Sequence, residues 1–306
     1  MSDLHSYLSA REEVLHFYPP YSFIRSLDQQ QQMQKHVITP LMEFGKSPEK
    51  SIIPVEVSGE SFLFFVKKLP WDTHFFGMDT YRLVQVLYTS PDLNQLCAAV
   101  RLFIRRFFRT KNQYLFAEIP AEDVQLANAL STGGFRLIET RLKYYRPVSS
   151  VDGPRYGVRV ATEADIASVR EVAAQNRNPY DRFHAEPAFP QDLADDFLAK
   201  YAEEAVKGYC DEVLLPGEPE VPSRAFMALK YIAEESKLAQ VMLSAVAPEC
   251  RGWHYKLLSE CLRRAEASSA RYLLMTTQFT NRAVIRNCEK LQFSLGSVSY
   301  VFSHTS

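Results

Sequence analysis

The most constraining feature of the chain is the order of elements between residues 241 and 304. The apolar segment Val241–Val246 predicts a strand, and residues 247–256 lead through an Arg-Gly pair into an amphipathic helix. A second apolar strand, Tyr272–Thr277, follows, and Asn281 begins another helix. A short loop between a strand and a helix presents unpaired backbone N–H groups at the positive end of the helix dipole. This order therefore predicts a site for a pyrophosphate.

The last part of this order occurs twice in the chain. Tyr114–Pro147 aligns without a gap on Tyr272–Thr305, so that Tyr114 matches Tyr272 and Phe135 matches Phe293 at one constant offset in the numbering. Both copies predict a strand, a loop, a helix and a second strand that ends in aromatic residues, which indicates duplication of one α/β unit. We therefore expect two related domains, with a linker in the Pro/Gly/Ser-rich segment Pro147–Gly157.

Three regions follow from these patterns. Residues 1–60 lack a sustained hydrophobic period and contain several prolines, so they predict an N-terminal extension of helices and loops. Residues 61–150 predict a partial domain of the repeated type, and residues 151–306 predict the domain that carries the Arg-Gly loop. A chain of 306 residues with 46% hydrophobic residues can bury a sizeable core across two such domains.

Charge and hydrophobicity exclude several classes of protein. A net charge of -1 disfavours a nucleic-acid or anionic-membrane binder, because such proteins normally carry a basic excess. The densest apolar run, Phe62–Val66, is far too short to cross a bilayer, and Met1–Glu13 lacks the order of a signal peptide. We therefore expect a cytoplasmic protein with no nucleic-acid or membrane partner.

The cysteines indicate neither a disulfide framework nor a metal site. The chain has five cysteines, widely scattered and without a C-x-x-C pair. Cys250 and His254 lie one helical turn apart, but no second pair of ligands follows, so a chance spacing is the better interpretation. We expect reduced thiols and no metal.

The second domain resembles the GNAT superfamily of N-acetyltransferases over roughly Tyr156–Ser306. That family places Q/R-x-x-G-x-G/A between a strand and a helix, at the position occupied here by Arg251, Gly252, Trp253, His254, Tyr255 and Lys256. Arg251 fits the signature, whereas His254 and Lys256 stand where small residues are usual and could bring positive charge near a phosphate. The resemblance implies two tandem GNAT-like α/β (α+β) domains, each a mixed, mostly antiparallel sheet flanked by helices. It also implies acetyl-CoA, or another acyl-CoA, as cosubstrate, with its pyrophosphate on the backbone N–H groups of this loop.

Residues 276–284 resemble the T-Q-x-x-N-x-x-A segment of a narrower group, the dTDP-fucosamine acetyltransferase-like enzymes. Trp71–Gly77 and Arg182–Glu186 resemble the same group, whose members acetylate an amino group on a nucleotide-activated sugar. In GNAT enzymes the asparagine of this segment commonly reaches the pantetheine arm, so the resemblance implies that role for Asn281. The alternative role for Asn281 is a helix N-cap, and the two are compatible.

The resemblance also implies direct attack of a neutral amine on the thioester carbonyl. A backbone N–H of the splayed strand around Leu243, Ala245 and Val246 would meet the developing oxyanion. In the family, a Tyr that acts as general acid commonly lies seven residues after the asparagine, and this chain has Cys288 at that position. A thiol with an ordinary pKa of about 8.5 can protonate a thiolate of similar basicity, but a core role for Cys288 is the stronger alternative. Tyr255 is the second candidate acid.

Acceptor recognition is expected from the segment between the first two helices of the second domain. Arg182 is the candidate for binding an anionic or hydroxyl-rich substrate, and His184 is the candidate base or hydrogen-bond partner. Loop-ordering contacts are the alternative for both.

The sequence thus favours an acetyl-CoA-dependent N-acetyltransferase for a primary amine of a small molecule, for example a nucleotide-linked amino-deoxysugar. The alternatives are a catalytically silent ligand- or protein-binding module, and an acyltransferase for a peptide or another small amine. A homodimer is left open.

Overall fold

The computed structural model describes residues 2–90, 92–149, 151–232 and 238–306, except for the side chains of residues 2 and 3, and it contains two compact units. Unit 1 comprises the chain up to Thr140 together with Ser297–Ser306, and unit 2 comprises Arg141–Gly296. Each is a mixed, mostly antiparallel sheet flanked by helices, so the predicted fold class is confirmed. The segment Pro147–Gly157, expected from its composition to be a linker, lies inside unit 2.

Unit 1 begins with helical segments and continues as a sheet with three further helices. Its elements are α1 (Ser2–Ala10), α2 (Glu12–Leu15), α3 (Gln29–Met33), α4 (Thr39–Leu41), β1 (Lys50–Val57), β2 (Glu60–Lys68), α5 (Pro70–Phe76), β3 (Asp79–Leu87), α6 (Leu93–Phe107), β4 (Gln113–Pro120), α7 (Val124–Gly133) and the first part of β5 (Arg136–Pro147). Strands β1, β2 and β3 pair antiparallel in that order, and β3 pairs parallel with β4.

One expectation for the N-terminal region is wrong. The sequence predicts helices and loops up to residue 60, but Lys50–Val57 forms strand β1. This strand contains Pro54 and pairs with β2 through Lys50 opposite Lys67 to Val57 opposite Glu60. An edge strand tolerates a proline and needs only a weak apolar alternation, so the usual strand pattern is faint in its sequence.

Unit 2 consists of further paired strands with four helices. Its elements are the second part of β5, β6 (Val158–Val160), α8 (Ile166–Gln175), α9 (Gln191–Glu204), β7 (Glu212–Pro216), β8 (Ala225–Ile232), β9 (Leu238–Val246), α10 (Trp253–Ala267), β10 (Tyr272–Gln278), α11 (Arg282–Lys290) and the first part of β11 (Ser294–Thr305). The strands from β6 to β9 pair antiparallel, β9 pairs parallel with β10, and β10 pairs antiparallel with β5.

The two units exchange their last strands. Strand β5 follows the last helix of unit 1, yet its second part pairs with β10, from Arg141 opposite Gln278 to Pro147 opposite Tyr272. Strand β11 follows the last helix of unit 2, yet its Ser299–Thr305 pairs with β4. Each sheet is therefore completed by the strand that follows the helix of the other unit.

The internal repeat is confirmed, and equivalent elements begin at equivalent residues. When Tyr114 is aligned on Tyr272, the first residues of helices α7 and α11 coincide, and so do the first residues of strands β5 and β11. The structure extends the repeat back to β3 and β9. Each of these strands carries one unpaired bulge residue against its antiparallel neighbour, Val84 in β3 and Met242 in β9, and the same alignment superposes the two bulges. A bulge bends the strand locally.

Each unit has its own hydrophobic core. In unit 1, the rings of Phe64 and Phe103 stack with centroids 4.2 Å apart, and both side chains are fully buried. The core of unit 2 packs Val169 and Val172 of α8 against the sheet residues Phe226 and Ala228. Across the described parts of the chain, no helix has the length and apolarity needed to cross a membrane.

Candidate active site

The central feature of unit 2 is the divergence of two parallel strands. Strands β9 and β10 pair from Leu238 opposite Tyr272 to Val241 opposite Met275, and no further in the described residues. Beyond the bulge at Met242, β9 remains paired with β8, whereas β10 remains paired with β5. The two strands separate because each follows its other neighbour. The end of the β9–β10 register at Val241 agrees with the splay expected around Leu243–Val246.

The end of β9 borders this divergence. Leu243 pairs with Ala228, and Ala245 pairs with Phe226 on β8. Ala245 is buried, while Leu243 and Val246 are partly buried. Backbone groups on the β10 side of this stretch have no β10 partner in the described register, so they are free to bind a ligand carbonyl or amide.

A tight turn connects β9 to α10. The backbone N–H of Cys250 donates to the carbonyl of Ala247 at 2.9 Å, and that of Arg251 donates to Pro248 at 3.2 Å. Gly252 then takes a left-handed conformation with φ 95° and serves as the N-cap of α10. No side chain of the described residues caps this helix. The first-turn N–H groups are therefore uncovered at the positive helix end, as an anion site requires.

Three side chains at the start of α10 contact one another or neighbouring residues. Trp253 is buried, and the Lys256 ammonium lies 4.3 Å from its ring centroid. Lys256 also lies 3.5 Å from a carboxylate oxygen of Glu218. The ring of Tyr255 packs edge-on against Tyr156, with centroids 6.4 Å apart. The charge of Lys256 is thus partly neutralised by an acidic partner within the same unit.

His254 belongs to the first turn of α10, and its ring contacts α11. Its Nδ1 is 3.1 Å from the Asn287 amide nitrogen, and its Nε2 is buried without a partner in the described residues. Burial lowers the pKa of His254 to about 4, so the imidazole is neutral near pH 7. The expectation that His254 adds positive charge near a phosphate is therefore wrong. Because Nδ1 accepts from the Asn287 amide, Nε2 carries the proton and is a neutral donor.

The N-cap role considered for Asn281 is present in the structure. The Asn281 side chain accepts a hydrogen bond from the backbone N–H of Val284 at 3.3 Å, which satisfies a free donor at the start of α11. Asn281 remains partly exposed beside the end of β10. Its side-chain N–H₂ group is not used by the cap, so it can still donate to a ligand.

Cys288 lies in the core of unit 2. Its side chain is fully buried, and burial, followed by the charge of Glu289, raises the pKa of its thiol to about 12. A thiol this weakly acidic is poorly matched to protonate a departing thiolate, and solvent does not reach it. The geometry therefore argues against Cys288 as general acid and agrees with its core alternative. Burial, with Cys288 and Glu289 nearby, likewise raises the pKa of Tyr144.

His184 does not have the geometry of a base. Its Nδ1 is 2.7 Å from Asp181 and its Nε2 is 3.0 Å from Asp195, and its side chain is fully buried. Burial opposes protonation, but the hydrogen bonds and charges of Asp181 and Asp195 outweigh it and raise the pKa of His184. A doubly bonded imidazolium has no free lone pair. The loop-ordering alternative therefore describes His184. The Arg182 guanidinium stacks on the Phe183 ring at 4.4 Å from its centroid.

The segment that contains His184 is attached to the end of β10. The Asn178 side-chain amide donates to Gln278 Oε1 at 2.8 Å, and the Asn178 Oδ1 accepts from the Tyr180 N–H at 3.1 Å. These bonds bring Tyr180 to the start of α11. A pocket of about 470 Å³ lies there, lined by Tyr180, Phe279, Thr280, Arg282 and Ile285. None of these five residues was predicted as a site residue, although Phe279, an aromatic residue between two polar ones just before the helix cap Asn281, could have indicated the pocket.

The structure therefore brings one group of the predicted site residues together and places the others elsewhere. The Arg251–Lys256 turn, the end of β9 and Asn281 all adjoin the divergence of β9 and β10. His184 and Cys288 are enclosed elsewhere in unit 2. In the described residues, no group of three or more His, Cys, Asp or Glu side chains could hold a metal ion.

Proteins of known structure share the fold of this chain. No protein-family model matches the chain, and no curated protein matches it by sequence. A GCN5-related N-acetyltransferase from Sphaerobacter thermophilus superposes with a TM-score of 0.59 at 10% identity, covering 97% of this chain and 91% of that one. A conserved protein of unknown function from Staphylococcus epidermidis superposes with a TM-score of 0.53 at 12% identity, covering 83% of this chain and 94% of that one. The chain therefore has the fold of the GCN5-related N-acetyltransferases over nearly its whole length.

Proposed function

We propose that unit 2 is an acyl-CoA-dependent N-acyltransferase with acetyl-CoA as donor. The observation that carries the proposal is the uncovered first turn of α10 after Gly252, directly beyond the end of β9 where β9 and β10 diverge. Backbone N–H groups at a helix start bind a pyrophosphate, and a gap between two strands accepts an extended amide-containing arm through backbone hydrogen bonds. The two features follow one another along the chain.

The fold supports the same assignment, since proteins of this fold include N-acetyltransferases. Fold alone does not define chemistry. The proposal therefore rests on the arrangement of the Gly252 turn, the free edge of β9 and the partly exposed Asn281. Asn281 would donate its side-chain N–H₂ group to the arm of the cosubstrate while its oxygen caps α11.

In the proposed mechanism, the bound cosubstrate supplies an activated thioester. A neutral acceptor amine attacks the carbonyl carbon, a C–N bond forms, and the C–S bond breaks as the tetrahedral intermediate collapses. Backbone N–H groups of Leu243–Val246 on the β10 side stabilise the developing oxyanion. The amine proton passes to solvent, and the departing thiolate takes a proton from an acid. Of the predicted acids, Tyr255 is only partly buried and Cys288 is sealed in the core.

The proposed acceptor is a primary amine on a small molecule. The likeness of residues 276–284 to the T-Q-x-x-N-x-x-A segment favours a nucleotide-linked amino-deoxysugar. Release of free CoA with a panel of amino-sugar nucleotides, compared with a panel of peptides and simple amines, would identify the acceptor class. Activity confined to peptides would replace the amino-sugar hypothesis.

One observation favours a catalytically silent binding module instead. His254 stands at a position where the family signature has glycine, and its ring lies against Asn287 between α10 and α11. A side chain in this place can narrow the approach to the backbone N–H groups. Binding of acetyl-CoA without release of free CoA on any amine panel would favour this function.

Calorimetric titration with acetyl-CoA tests the proposed site. We expect binding to the wild-type protein and about tenfold weaker binding to Asn281→Ala, equivalent to about 1.4 kcal/mol. Loss of the cap should lower the free energy of unfolding by about 1 kcal/mol. Asp92→Ala is the matched control, because Asp92 caps α6 of unit 1 through Asn94 and Gln95. This control should lose similar stability and keep its affinity. Equal affinities for all three proteins would refute the role of Asn281.

A further inference from the structure

The pocket at the start of α11 exposes two large aromatic side chains from separate parts of unit 2. Tyr180 is 57% exposed and Phe279 is 64% exposed, and both line the same pocket of about 470 Å³. Exposed aromatic residues that meet at a concave surface characterise binding sites more than structural contacts. In the described residues, neither ring stacks on another aromatic ring. Both ring faces are therefore available to a ligand.

The position of Tyr180 is fixed by its surroundings. Asn178 bonds to the Tyr180 N–H through its oxygen and to Gln278 Oε1 through its nitrogen. Gln278 is the last residue of β10, and its carbonyl accepts from the Asn281 N–H at 2.9 Å. One asparagine thus connects the backbone that carries Tyr180 to the strand end that carries Phe279. The two rings belong to one hydrogen-bonded structure, which favours a preorganised site.

The polar side of the pocket is positive. Arg282 is exposed at the first position of α11, and no acidic side chain in the described part of the chain pairs with it. Asp181, which follows Tyr180 in the chain, and Asp195 of α9 are both bonded to His184. The start of α11 adds the positive end of a helix dipole, and Thr280 adds a hydroxyl group. The pocket therefore combines two aromatic faces with a guanidinium that can bind a carboxylate or phosphate in two-point geometry.

We propose that this pocket recognises the acceptor through a flat ring that carries an anionic group close by. The ring would stack on Tyr180 or Phe279, and the anion would bind Arg282 and the start of α11. This assignment of the pocket to the acceptor rests on the proposed function of unit 2. Two kinds of molecule share the required chemistry: a nucleotide, with its base and phosphate, and an aryl carboxylate.

Binding of matched charged and neutral probes tests the recognition chemistry. The nucleotide pair is UMP and uridine, and the aryl pair is indole-3-acetate and indole-3-acetamide, each titrated by calorimetry. We expect the charged member of one pair to bind at least about tenfold more tightly than its neutral counterpart, because only it can use Arg282. The pair that binds identifies the source of the ring. If neither charged probe binds at concentrations up to about 5 mM, the binding free energy is weaker than about 3 kcal/mol in magnitude. That result would overturn the proposal.

Three variants locate the binding. Phe279→Ala and Arg282→Gln should each weaken the charged probe about tenfold, and Arg282→Gln should also remove its advantage over the neutral probe. Arg286→Gln is the control, since Arg286 is exposed on the next turn of α11 and does not line the pocket. It should change the affinity less than about threefold. If Arg282→Gln and Arg286→Gln weaken binding of the charged probe equally, the effect comes from the overall surface charge and not from the pocket. That result would overturn the proposal.

Parallel titrations with acetyl-CoA separate this proposal from the function of unit 2. Acetyl-CoA should bind Phe279→Ala as it binds the wild type, and the charged probe should not compete with it. Competition would assign the pocket to the nucleotide end of the cosubstrate and overturn the proposal. If acetyl-CoA does not bind while the probe binds through Phe279 and Arg282, the pocket stands as a ligand site and the proposed acyltransferase function fails.

Discussion

The two units build the same strand-to-helix corner and complete it in opposite ways. Helix α7 of unit 1 is capped by Asp123, and helix α11 of unit 2 is capped by Asn281, the matching position of the second copy. Each side chain accepts from the backbone N–H three residues ahead, Leu126 or Val284, at 3.3 Å. The local cap is therefore the same, and the difference lies in what surrounds it.

In unit 1 the corner is filled by the protein itself. Asp123 is 1% exposed and bonds to the Arg11 guanidinium and, at 2.6 Å, to the Tyr18 hydroxyl. Arg11 also lies 4.3 Å from the ring centroid of Tyr88, just beyond the end of β3. Burial raises the pKa of Tyr88 to about 12, so it stays neutral in this cluster. The N-terminal segment thus covers the place that corresponds to the partly exposed Asn281 corner of unit 2.

The helices that precede these two in the repeat, α6 and α10, also differ in how their first N–H groups are capped. In unit 1, the Asp92 carboxylate caps α6 and accepts from the N–H of Asn94 at 2.8 Å. In unit 2, Gly252 caps α10 with no side chain at all. A carboxylate satisfies the free N–H groups and repels a phosphate, whereas glycine leaves them free. The repeated fold is therefore present in both units, but among the described starts of α6, α7, α10 and α11 only that of α10 lacks a side-chain cap, as the proposed anion site requires.

The largest expected effect comes from breaking the filled corner of unit 1. Asp123→Asn should lower the free energy of unfolding by about 3 to 5 kcal/mol, because Arg11 is left buried without its charge partner. Urea unfolding, followed by the fluorescence of Trp71 in unit 1 after Trp253→Phe, measures it. Asn281→Asp is the matched change in unit 2 and should cost less than about 1 kcal/mol, since aspartate caps equally well. Equal costs at the two corners would remove the contrast between them.

The second prediction concerns the uncovered turn of unit 2. Gly252→Ala should weaken acetyl-CoA binding about tenfold, because a Cβ at φ 95° strains the turn that orients the N–H groups. Gly59→Ala in the β1–β2 turn is the matched control, with φ 85° and equally open space around the added Cβ. Both variants should lose about 1 kcal/mol of stability. An affinity that falls equally in both, or in neither, would contradict the special role of the Gly252 turn.

The third prediction is a pH dependence that belongs to unit 2. The pKa of His184 is raised in the folded protein, so the protonated imidazole stabilises the fold. This contribution to the free energy of unfolding is complete below the unfolded-state pKa of about 6.5 and is lost as the pH rises through the folded-state pKa. The urea midpoint should therefore fall as the pH rises above about 6.5. His184→Gln should flatten this profile, whereas His5→Gln in α1 should preserve it. A wild-type profile unchanged by His184→Gln would show that the paired imidazole does not titrate in this range.

The smallest expected effect compares the ends of the two repeated helices. The residue after α7 is Gly134 at φ 115°, and the corresponding residue after α11 is Gln292 at φ 57°. Gln292→Gly should raise the free energy of unfolding by about 1 kcal/mol, and Gly134→Ala should lower it by a similar amount. Chemical denaturation measures both. A destabilising Gln292→Gly would mean that the glutamine side chain makes contacts worth more than the strain.

Local patterns were sufficient to predict the repeat and its strands and helices, but not strand β1. The apolar period and the helix start at Asn281 mark these elements, and such signals depend on neighbours in sequence. The exchange of β5 and β11 was not predictable, because two copies of one repeat offer strands of nearly equivalent pairing pattern. Which strand completes which sheet depends on contacts distant in sequence.

The candidate site was predictable where it consists of backbone. The Arg251–Lys256 turn needs only a glycine, a helix start and a preceding strand, all legible in the sequence. The side chains were harder, because burial and partners decide their chemistry. His184 is bonded to Asp181 and Asp195, and Cys288 is buried in the core. The residues next to them in the sequence do not predict either environment.

Hydrogen exchange with and without acetyl-CoA tests the central claim most directly. If the turn after Gly252 binds the cosubstrate, the amides of Leu243–Val246 and of Gly252–Lys256 should exchange more slowly when it is present, because ligand groups then accept from them. The corresponding start of α6, Asp92–Leu96, should be unaffected. Unchanged exchange at the Gly252 turn, or protection at the start of α6 instead, would contradict the assignment of the site to unit 2.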